Sequence, residues 1–172
     1  MGERLFIKKI KHFHINPYNG LTRNSGFWLE YNCLQRLNNN FHCICKRRCP
    51  SHFPIIKDYN NYKKKFLLSY CGQSLDKKKR KIKNIEEQLD CILYNLKRNN
   101  IIHLDILPKN ICTNNRGIVF LIDFDIAIYN NIILSPKINQ RWTEYKRSRK
   151  YYSKKVKEEI LQNFRDSGGK AP

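Results

Sequence analysis

Two aspartates and an asparagine in the second half of the chain have the types and spacing needed to handle a metal-bound phosphate. Asp105 and Asn110 lie in the run HLDILPKN, and Asp123 ends an apolar segment in the run IDFD. An aspartate can accept the proton of an attacking hydroxyl, whereas a second aspartate and an amide oxygen can bind Mg²⁺ beside the phosphates. The spacing therefore predicts phosphoryl transfer, with Asp105 as the base and Asn110 and Asp123 as magnesium ligands.

Between these motifs, residues 111–122 have the form of two short strands around an Asn-Asn-Arg-Gly turn. The combination resembles the catalytic core of the eukaryotic-type protein kinase superfamily, in which two motifs of this kind flank a hairpin. The resemblance implies an α+β, protein-kinase-like fold of two lobes, with a small antiparallel sheet, a helical lobe and a nucleotide cleft between them. It also implies ATP and Mg²⁺ as cofactors.

A short apolar segment further upstream matches another part of that family. Residues 65–75 predict a strand that a glycine ends, similar to the kinase strand that enters the hinge between the lobes. The resemblance implies that Leu68 is the gatekeeper. It also implies that the hinge backbone of Ser69, Tyr70 and Cys71 holds adenine.

A lysine and a glutamate in the first part of the chain could form the ion pair that positions the nucleotide phosphates. Residues 27–37 place Glu30 on one helical face with apolar residues, and this helix resembles the regulatory helix of the kinase small lobe. In that family its glutamate pairs with a strand lysine, which implies a catalytic role for Glu30. Residues 5–10 resemble the strand. Letter matching selects Lys8, whereas a shift of one residue selects Lys9, and both remain open.

The resemblance covers about residues 4–128 and also predicts a helix over 85–100, where apolar residues recur at helical spacing. It implies a kinase-like core over 1–128, with about 1–70 as the small lobe and 71–128 as the start of the large lobe. A basic activation-segment-like and helical stretch is expected over 129–166. The tail 167–172 is expected to be disordered.

Several features depart from the kinase pattern. Few residues precede Lys8, so we expect the glycine-rich loop that covers the ATP phosphates to be absent. Leu107 stands where many kinases have a lysine that contacts the transferred phosphate, although Lys109 is close by. Asp125 replaces the glycine of the second motif, which removes backbone freedom but leaves Asp123 in place. With a short second lobe, these features imply a kinase fold truncated at both ends.

The resemblance implies ATP- and Mg²⁺-dependent transfer of a phosphoryl group to a hydroxyl, with a serine or threonine of a protein as the favoured acceptor. The alternative is a pseudokinase-type binding module that regulates or mimics a full kinase. The set Asp105, Asn110 and Asp123 favours the enzyme, whereas the missing loop and short second lobe favour the module. The expected partners are ATP and either a protein substrate or a partner kinase.

The composition indicates a folded and strongly basic protein. Hydrophobic residues make up 41% of the 172 residues, and the formal net charge is +20. This charge favours an acidic or phosphate-bearing partner; basic runs at 77–81 and 146–157 could contact nucleic acid, but no nucleic-acid-binding motif accompanies them. No apolar run approaches the roughly 20 residues that cross a bilayer, which predicts no membrane partner. Seven cysteines without a secretory signal predict reduced thiols in an intracellular, cytoplasmic protein.

Three cysteines and two histidines crowd one short segment of the chain. These residues are His42, Cys43, Cys45, Cys49 and His52. All five are residue types that bind zinc, but their C-x-C-x3-C spacing is not the usual pair of C-x-x-C knuckles. The pattern therefore favours free thiols and histidines over a zinc site.

Overall fold

The computed structural model describes residues 4–10, 23–77, 82–129 and 154–166. Within these ranges the protein is α+β, with small antiparallel sheets and three α-helices, which confirms the predicted class. Helix α1 spans Arg23–Asn39, α2 spans Ile85–Arg98 and α3 spans Lys154–Asp166. The strands are β1 Leu5–Lys9, β2 Ile56–Asn60, β3 Lys65–Ser69, β4 Gln73–Ser74, β5 Ile101–Ile102, β6 Ile111–Thr113, β7 Val119–Leu121 and β8 Ile128–Tyr129.

The first sheet has the strand order β1-β3-β2, and both of its strand pairs are antiparallel. Side chains alternate along the central strand β3, so Phe66 and Leu68 enter the core. Helix α1 packs beneath the sheet, where the ring of Phe27 stacks on Phe66 with a centroid distance of 4.4 Å. Glu30 follows Phe27 by about one helical turn. The packing of Phe27 therefore fixes Glu30 close to the sheet.

Helix α2 forms because its sequence is amphipathic and its end charges suit the helix dipole. Acidic residues lie in its first turn and basic residues in its last turn. Its buried apolar residues are Ile85, Leu89, Cys91, Ile92, Leu93 and Leu96. Helix α3 contributes a second apolar face to the same core, made by Val156, Ile160, Leu161 and Phe164. All four of these side chains are buried.

Strands β6 and β7 form the predicted hairpin, with β4 as the third strand of their sheet. The side chain of Asn114 shapes the turn, because its Oδ1 accepts hydrogen bonds of 3.0 Å from the backbone N–H groups of Arg116 and Ile118. Gly117 has a φ of 72°, a conformation that favours glycine. The hairpin places Asn110 at its start and Asp123 just after its end.

Some predictions fall on residues that the structure does not describe. These are the stretch 130–153, the tail 167–172 and the basic residues 78–81. Among the described helices, none combines the length and the apolar character that crossing a bilayer requires. The remaining strands β5 and β8 pair with each other and bring the residues after Asp125 back beside those before His103.

Candidate active site

Three charged side chains from separate elements meet at one point. The Lys8 Nζ lies 2.5 Å from Glu30 Oε2 and 2.6 Å from Asp123 Oδ1. Glu30 is fully buried, whereas the Asp123 side chain is 38% exposed and faces solvent in part. Of the two lysines that the sequence left open, Lys8 is the one that pairs with Glu30. The next residue, Lys9, is exposed, since successive strand side chains point to opposite faces.

Burial and neighbouring charges shift the pKa values of this group. Complete burial raises the pKa of Glu30 to about 7, against the attraction of Lys8. Burial alone would lower the pKa of Lys8, but the carboxylates of Glu30, Asp123 and Asp125 together raise it. Burial would likewise raise the pKa of Asp123, but Lys8 lowers it. Lys8 and Asp123 are therefore charged at neutral pH, and Glu30 is the member that titrates near neutrality.

The predicted base and its neighbours form a second polar group. The Asn110 Nδ2 donates to the backbone oxygen of Asp105 at 2.9 Å and to Asp105 Oδ2 at 2.8 Å. A short 3₁₀ helix, Pro108–Asn110, bends the chain so that the amide returns to the carboxylate. The Lys109 Nζ also lies 3.0 Å from Asp105 Oδ2. One oxygen of the Asp105 carboxylate is thus held by both an amide and a cation.

His103 links the two motifs, a role that the sequence prediction did not assign. Its Nε2 lies 2.9 Å from the backbone oxygen of Ile122, and its ring meets Phe124 at a centroid distance of 4.6 Å. Burial lowers the pKa of His103 to about 4. The neutral ring therefore donates from Nε2 to Ile122 and fixes the residue before Asp123. The sequence did contain one indication of this role, because His103 is the first residue of the run HLDILPKN.

A cavity of about 340 Å³ lies between the first sheet and the hairpin sheet. Most of the predicted nucleotide-site residues line it, namely Lys8, Lys9, Glu30, Leu68, Ser69, Tyr70, Cys71 and Asp123. The backbone N–H of Tyr70 already donates to the oxygen of Arg4 at 3.1 Å. The backbone N–H of Ser69 likewise donates to the oxygen of Ile55 at 2.9 Å, so Cys71 is the hinge residue better placed to donate to a ligand.

No known protein-family model matches the chain, and no curated protein is significantly similar to it in sequence. The function of the site is therefore inferred from its geometry.

Asp105 and Asn110 are not among the residues that line this cavity. Asp105 is near enough to Asp125 to contribute to the raised pKa of that carboxyl, for which burial is the largest cause. Asp125 lies two residues after Asp123, which lines the cavity, so the predicted base and the cavity are linked through Asp125.

The oxygen atoms of Asp123 and Asn110 fit a magnesium ion better than a softer metal. Mg²⁺ prefers one or two carboxylates, keeps several waters and requires oxygen ligands. Asp123 supplies a partly exposed carboxylate, and the Nδ2 of Asn110 donates to Asp105, so the acceptor end of the Asn110 amide is its Oδ1. The residues present therefore fit the ion that the sequence implies.

Proposed function

We propose that this protein is a protein-kinase-like phosphotransferase that moves a phosphoryl group from ATP to a hydroxyl, with a serine or threonine of a protein as acceptor. The contact of Lys8 with both Glu30 and Asp123 carries the proposal. A buried glutamate that fixes a strand lysine beside a metal-binding aspartate is the arrangement that holds ATP phosphates in protein kinases. In this chain the arrangement lies at the wall of a cavity.

The proposed fold is two-lobed, with ATP between the lobes. The sheet β1-β3-β2 and α1 would form the small lobe, and α2 with the β4-β6-β7 sheet would begin the large lobe. Adenine would lie between the side chain of Phe6, which shares a strand face with Lys8, and the gatekeeper Leu68, since both line the cavity. The cavity volume of about 340 Å³ suits a small-molecule site.

The chain's own residues would divide the chemistry as follows. Lys8, held by Glu30, would bind the phosphates, and Asp123 and Asn110 would hold Mg²⁺. When bound, Mg²⁺ neutralises the charge that develops on the transferred phosphate. Asp105, oriented by the Asn110 amide, would accept the proton of the attacking hydroxyl.

One observation favours the alternative of a pseudokinase-type binding module. The Lys8 Nζ contacts Asp123 Oδ1 directly, so one of the predicted metal-binding oxygens is already paired with a cation. In an active enzyme Mg²⁺ and the phosphates would have to separate this pair. In a binding module the pair could persist and hold the two sheets together without transfer.

The phosphotransferase and the binding module predict different responses to Mg²⁺ and ATP. The test measures ATP binding with and without Mg²⁺, and transfer of the γ-phosphate to a protein acceptor, in the wild type and in Asp123→Asn. Asparagine is chosen because residue 123 has a φ of 72°, which asparagine tolerates. The matched control is Asp58→Asn, an exposed carboxyl on β2.

We expect the wild type and Asp58→Asn to bind ATP with Mg²⁺ and to transfer phosphate. Asp123→Asn should lose transfer by at least about a hundredfold, the order expected for loss of a charge-stabilising group. Binding without transfer in the wild type would favour the module. A wild type that binds no ATP under either condition would overturn the enzyme.

A further inference from the structure

Four residues of the crowded cysteine and histidine segment form a cluster in the fold, namely Cys43, Cys45, Cys49 and His52. Cys91 of helix α2 joins them as the fifth member. The Sγ atoms of Cys43 and Cys45 lie 3.2 Å apart, and the Sγ of Cys45 lies 3.6 Å from that of Cys49. The Sγ of Cys45 is also 3.6 Å from His52 Nε2. Cys91 of α2 completes a second group with Cys43 and Cys45, in which all three sulfur atoms lie within 4.8 Å of one another.

These distances match those between ligands on one tetrahedral ion. Zinc binds thiolate sulfur at about 2.3 Å and imidazole nitrogen at about 2.0–2.1 Å, which puts two ligand atoms about 3.4–3.8 Å apart. Cys45, Cys49 and His52 all have ligand atoms within 4.8 Å of one another, and two of their separations are 3.6 Å. Small side-chain rotations would bring these three atoms onto one ion.

His52 presents the nitrogen that a metal would need. Its Nδ1 lies 2.6 Å from the backbone oxygen of Val119, a partner that can only accept a hydrogen bond. The Nδ1 therefore carries the proton, and the lone pair of Nε2 points toward Cys45. A backbone oxygen that fixes the second ring nitrogen in this way is the usual support for a metal-binding histidine.

The surroundings of the cluster are already ordered and electropositive. Asn95 of α2 holds the start of the segment, since its side chain exchanges two hydrogen bonds with the backbone of His42, at 2.8 and 2.9 Å. The exposed side chains of Lys46, Arg47 and Arg48 supply positive charge on the same segment. A zinc ion with three thiolates and a neutral imidazole carries one net negative charge, which these cations favour.

We propose that Cys45, Cys49 and His52, with Cys43 or Cys91 as the fourth ligand, hold a structural Zn²⁺ ion. Three thiolates and one imidazole are a ligand set of structural zinc sites. Cys45, Cys49, His52 and Cys91 are all buried, so the site is closed, as a structural rather than a catalytic zinc requires. The sequence spacing favoured free thiols because Cys91 and the support of His52 become visible only in the fold.

The ion would tie together the segments around the candidate active site. The backbone oxygen of His52 accepts a hydrogen bond of 3.0 Å from Leu121, and the Arg47 side chain donates to the backbone oxygen of Arg116 at 2.6 Å. Both partners belong to the β6–β7 hairpin and its turn. Zinc would therefore fix this hairpin, which leads into Asp123, against helix α2, whatever reaction the site performs.

Metal content of the purified full chain, prepared without a polyhistidine tag or chelator, tests the proposal directly. We expect one zinc per chain by elemental analysis. Substitution with Co²⁺ should give the visible absorption of a tetrahedral thiolate site. Zinc-to-ligand distances from X-ray absorption should be about 2.3 Å for sulfur and about 2.0–2.1 Å for nitrogen. A wild type that contains no zinc and binds neither Zn²⁺ nor Co²⁺ would overturn the proposal.

Matched variants separate ligands from bystanders. Cys45→Ser and His52→Asn should lower zinc affinity at least about tenfold, whereas His42→Asn and Cys33→Ala should keep the wild-type zinc content. His42 lies on the same segment and Cys33 is a buried thiol on α1, but neither belongs to the cluster. His52→Cys shows whether zinc loss in His52→Asn reflects a lost ligand or unfolding. A fourth thiolate in place of the imidazole should still bind zinc, with a changed Co²⁺ spectrum.

Two further variants decide which cysteine is the fourth ligand. Either Cys43→Ser or Cys91→Ser should weaken zinc binding as strongly as Cys45→Ser does. Wild-type affinity in both would contradict a site closed by four protein ligands. Equal zinc loss in the His42→Asn control would show that the cluster does not define the site.

Discussion

Lys8 and Asp123 stand 115 positions apart in the sequence, yet their side chains meet at 2.6 Å. The contact joins strand β1 to the residue that follows the β6–β7 hairpin. Glu30 of α1 is the third member, at 2.5 Å from the same Nζ. The Lys8 ammonium thus contacts two carboxylates from two other parts of the chain. All three residues line the cavity.

Replacement of Lys8 tests this arrangement. Lys8→Met leaves the fully buried Glu30 without its cation, so the free energy of unfolding should fall by about 3 kcal/mol. ATP binding should also be lost. Lys9→Met is the matched control on the same strand, and its exposed side chain should matter by no more than about 0.5 kcal/mol. Urea denaturation and ATP titration measure the two effects, and equal losses in both variants would contradict the role of Lys8.

A second substitution shows whether the loss comes from the pair itself. In the double variant Lys8→Met with Glu30→Gln, no charge is left buried, so the destabilisation should be smaller than the sum of the two single variants. A coupling of at least about 1 kcal/mol is expected for such a contact. Strict additivity would mean that Lys8 and Glu30 act independently.

The local elements of this protein could be predicted from sequence, but the contacts between them could not. Helix α2 was predicted over 85–100 and spans Ile85–Arg98, because its apolar spacing and end charges agree. The choice between Lys8 and Lys9 stayed open, since a strand of five residues does not reveal which face meets the helix.

The cysteine cluster shows the same limit. Cys91 lies on α2, more than forty positions after Cys45, and its ligand-like position follows from the packing of α2 against the segment that contains Cys45. Sequence spacing reports ligands that are neighbours in the chain, whereas this cluster takes one candidate from a distant helix. The role of His103 was missed for a related reason, because its partner Ile122 is on the other motif.

Gly72 should be the least replaceable glycine of the described chain. A Cβ atom there would lie 2.0 Å from the backbone oxygen of Thr113, and its φ is 95°. Gly117 is the matched control, because its φ of 72° is also positive. A Cβ atom there would lie 3.4 Å from its nearest neighbour, a terminal nitrogen of the Arg47 side chain. Gly117→Ala should therefore cost only the backbone strain of about 1–2 kcal/mol. Gly72→Ala should cost at least about 2 kcal/mol more, because β4 must separate from β6.

Denaturation midpoints of the two alanine variants measure this difference. Hydrogen exchange of the β6 amides adds a local readout, since only Gly72→Ala should expose the strand that pairs with β4. Similar midpoints for the two variants would contradict the tight approach at Thr113.

We expect Lys109 to supply the cation that contacts the transferred phosphate, because Leu107 has no charge. Its Nζ lies 3.0 Å from Asp105 Oδ2, beside the proposed base, whereas Leu107 is an exposed apolar residue. Lys109→Ala should lower the rate of phosphate transfer by about a hundredfold with little change in ATP affinity, because the cation would act on the transferred group alone. Lys109→Arg should restore part of the rate. A loss confined to ATP affinity would place Lys109 in nucleotide binding instead.

The buried His103 makes stability depend on pH. In the folded protein its pKa is lowered from 6.5 to about 4, so the unfolded chain binds the proton more readily between these values. The free energy of unfolding should therefore fall as the pH drops through this window, by up to about 3 kcal/mol from this residue. Well above pH 6.5 the ring is neutral in both states, so His103 no longer makes stability depend on pH.

His103→Gln isolates this contribution, because a glutamine amide can still donate to Ile122 but does not titrate. Glu30 works in the opposite sense: its pKa is raised to about 7, so its part of the stability increases as the pH falls. Since Glu30 is present in both proteins, its effect cancels when the variant is compared with the wild type. The loss of packing against Phe124 adds a constant offset. The stability of the wild type relative to the variant should therefore fall from pH 7 to pH 4, and a difference that is independent of pH would show that folding does not shift the pKa of His103.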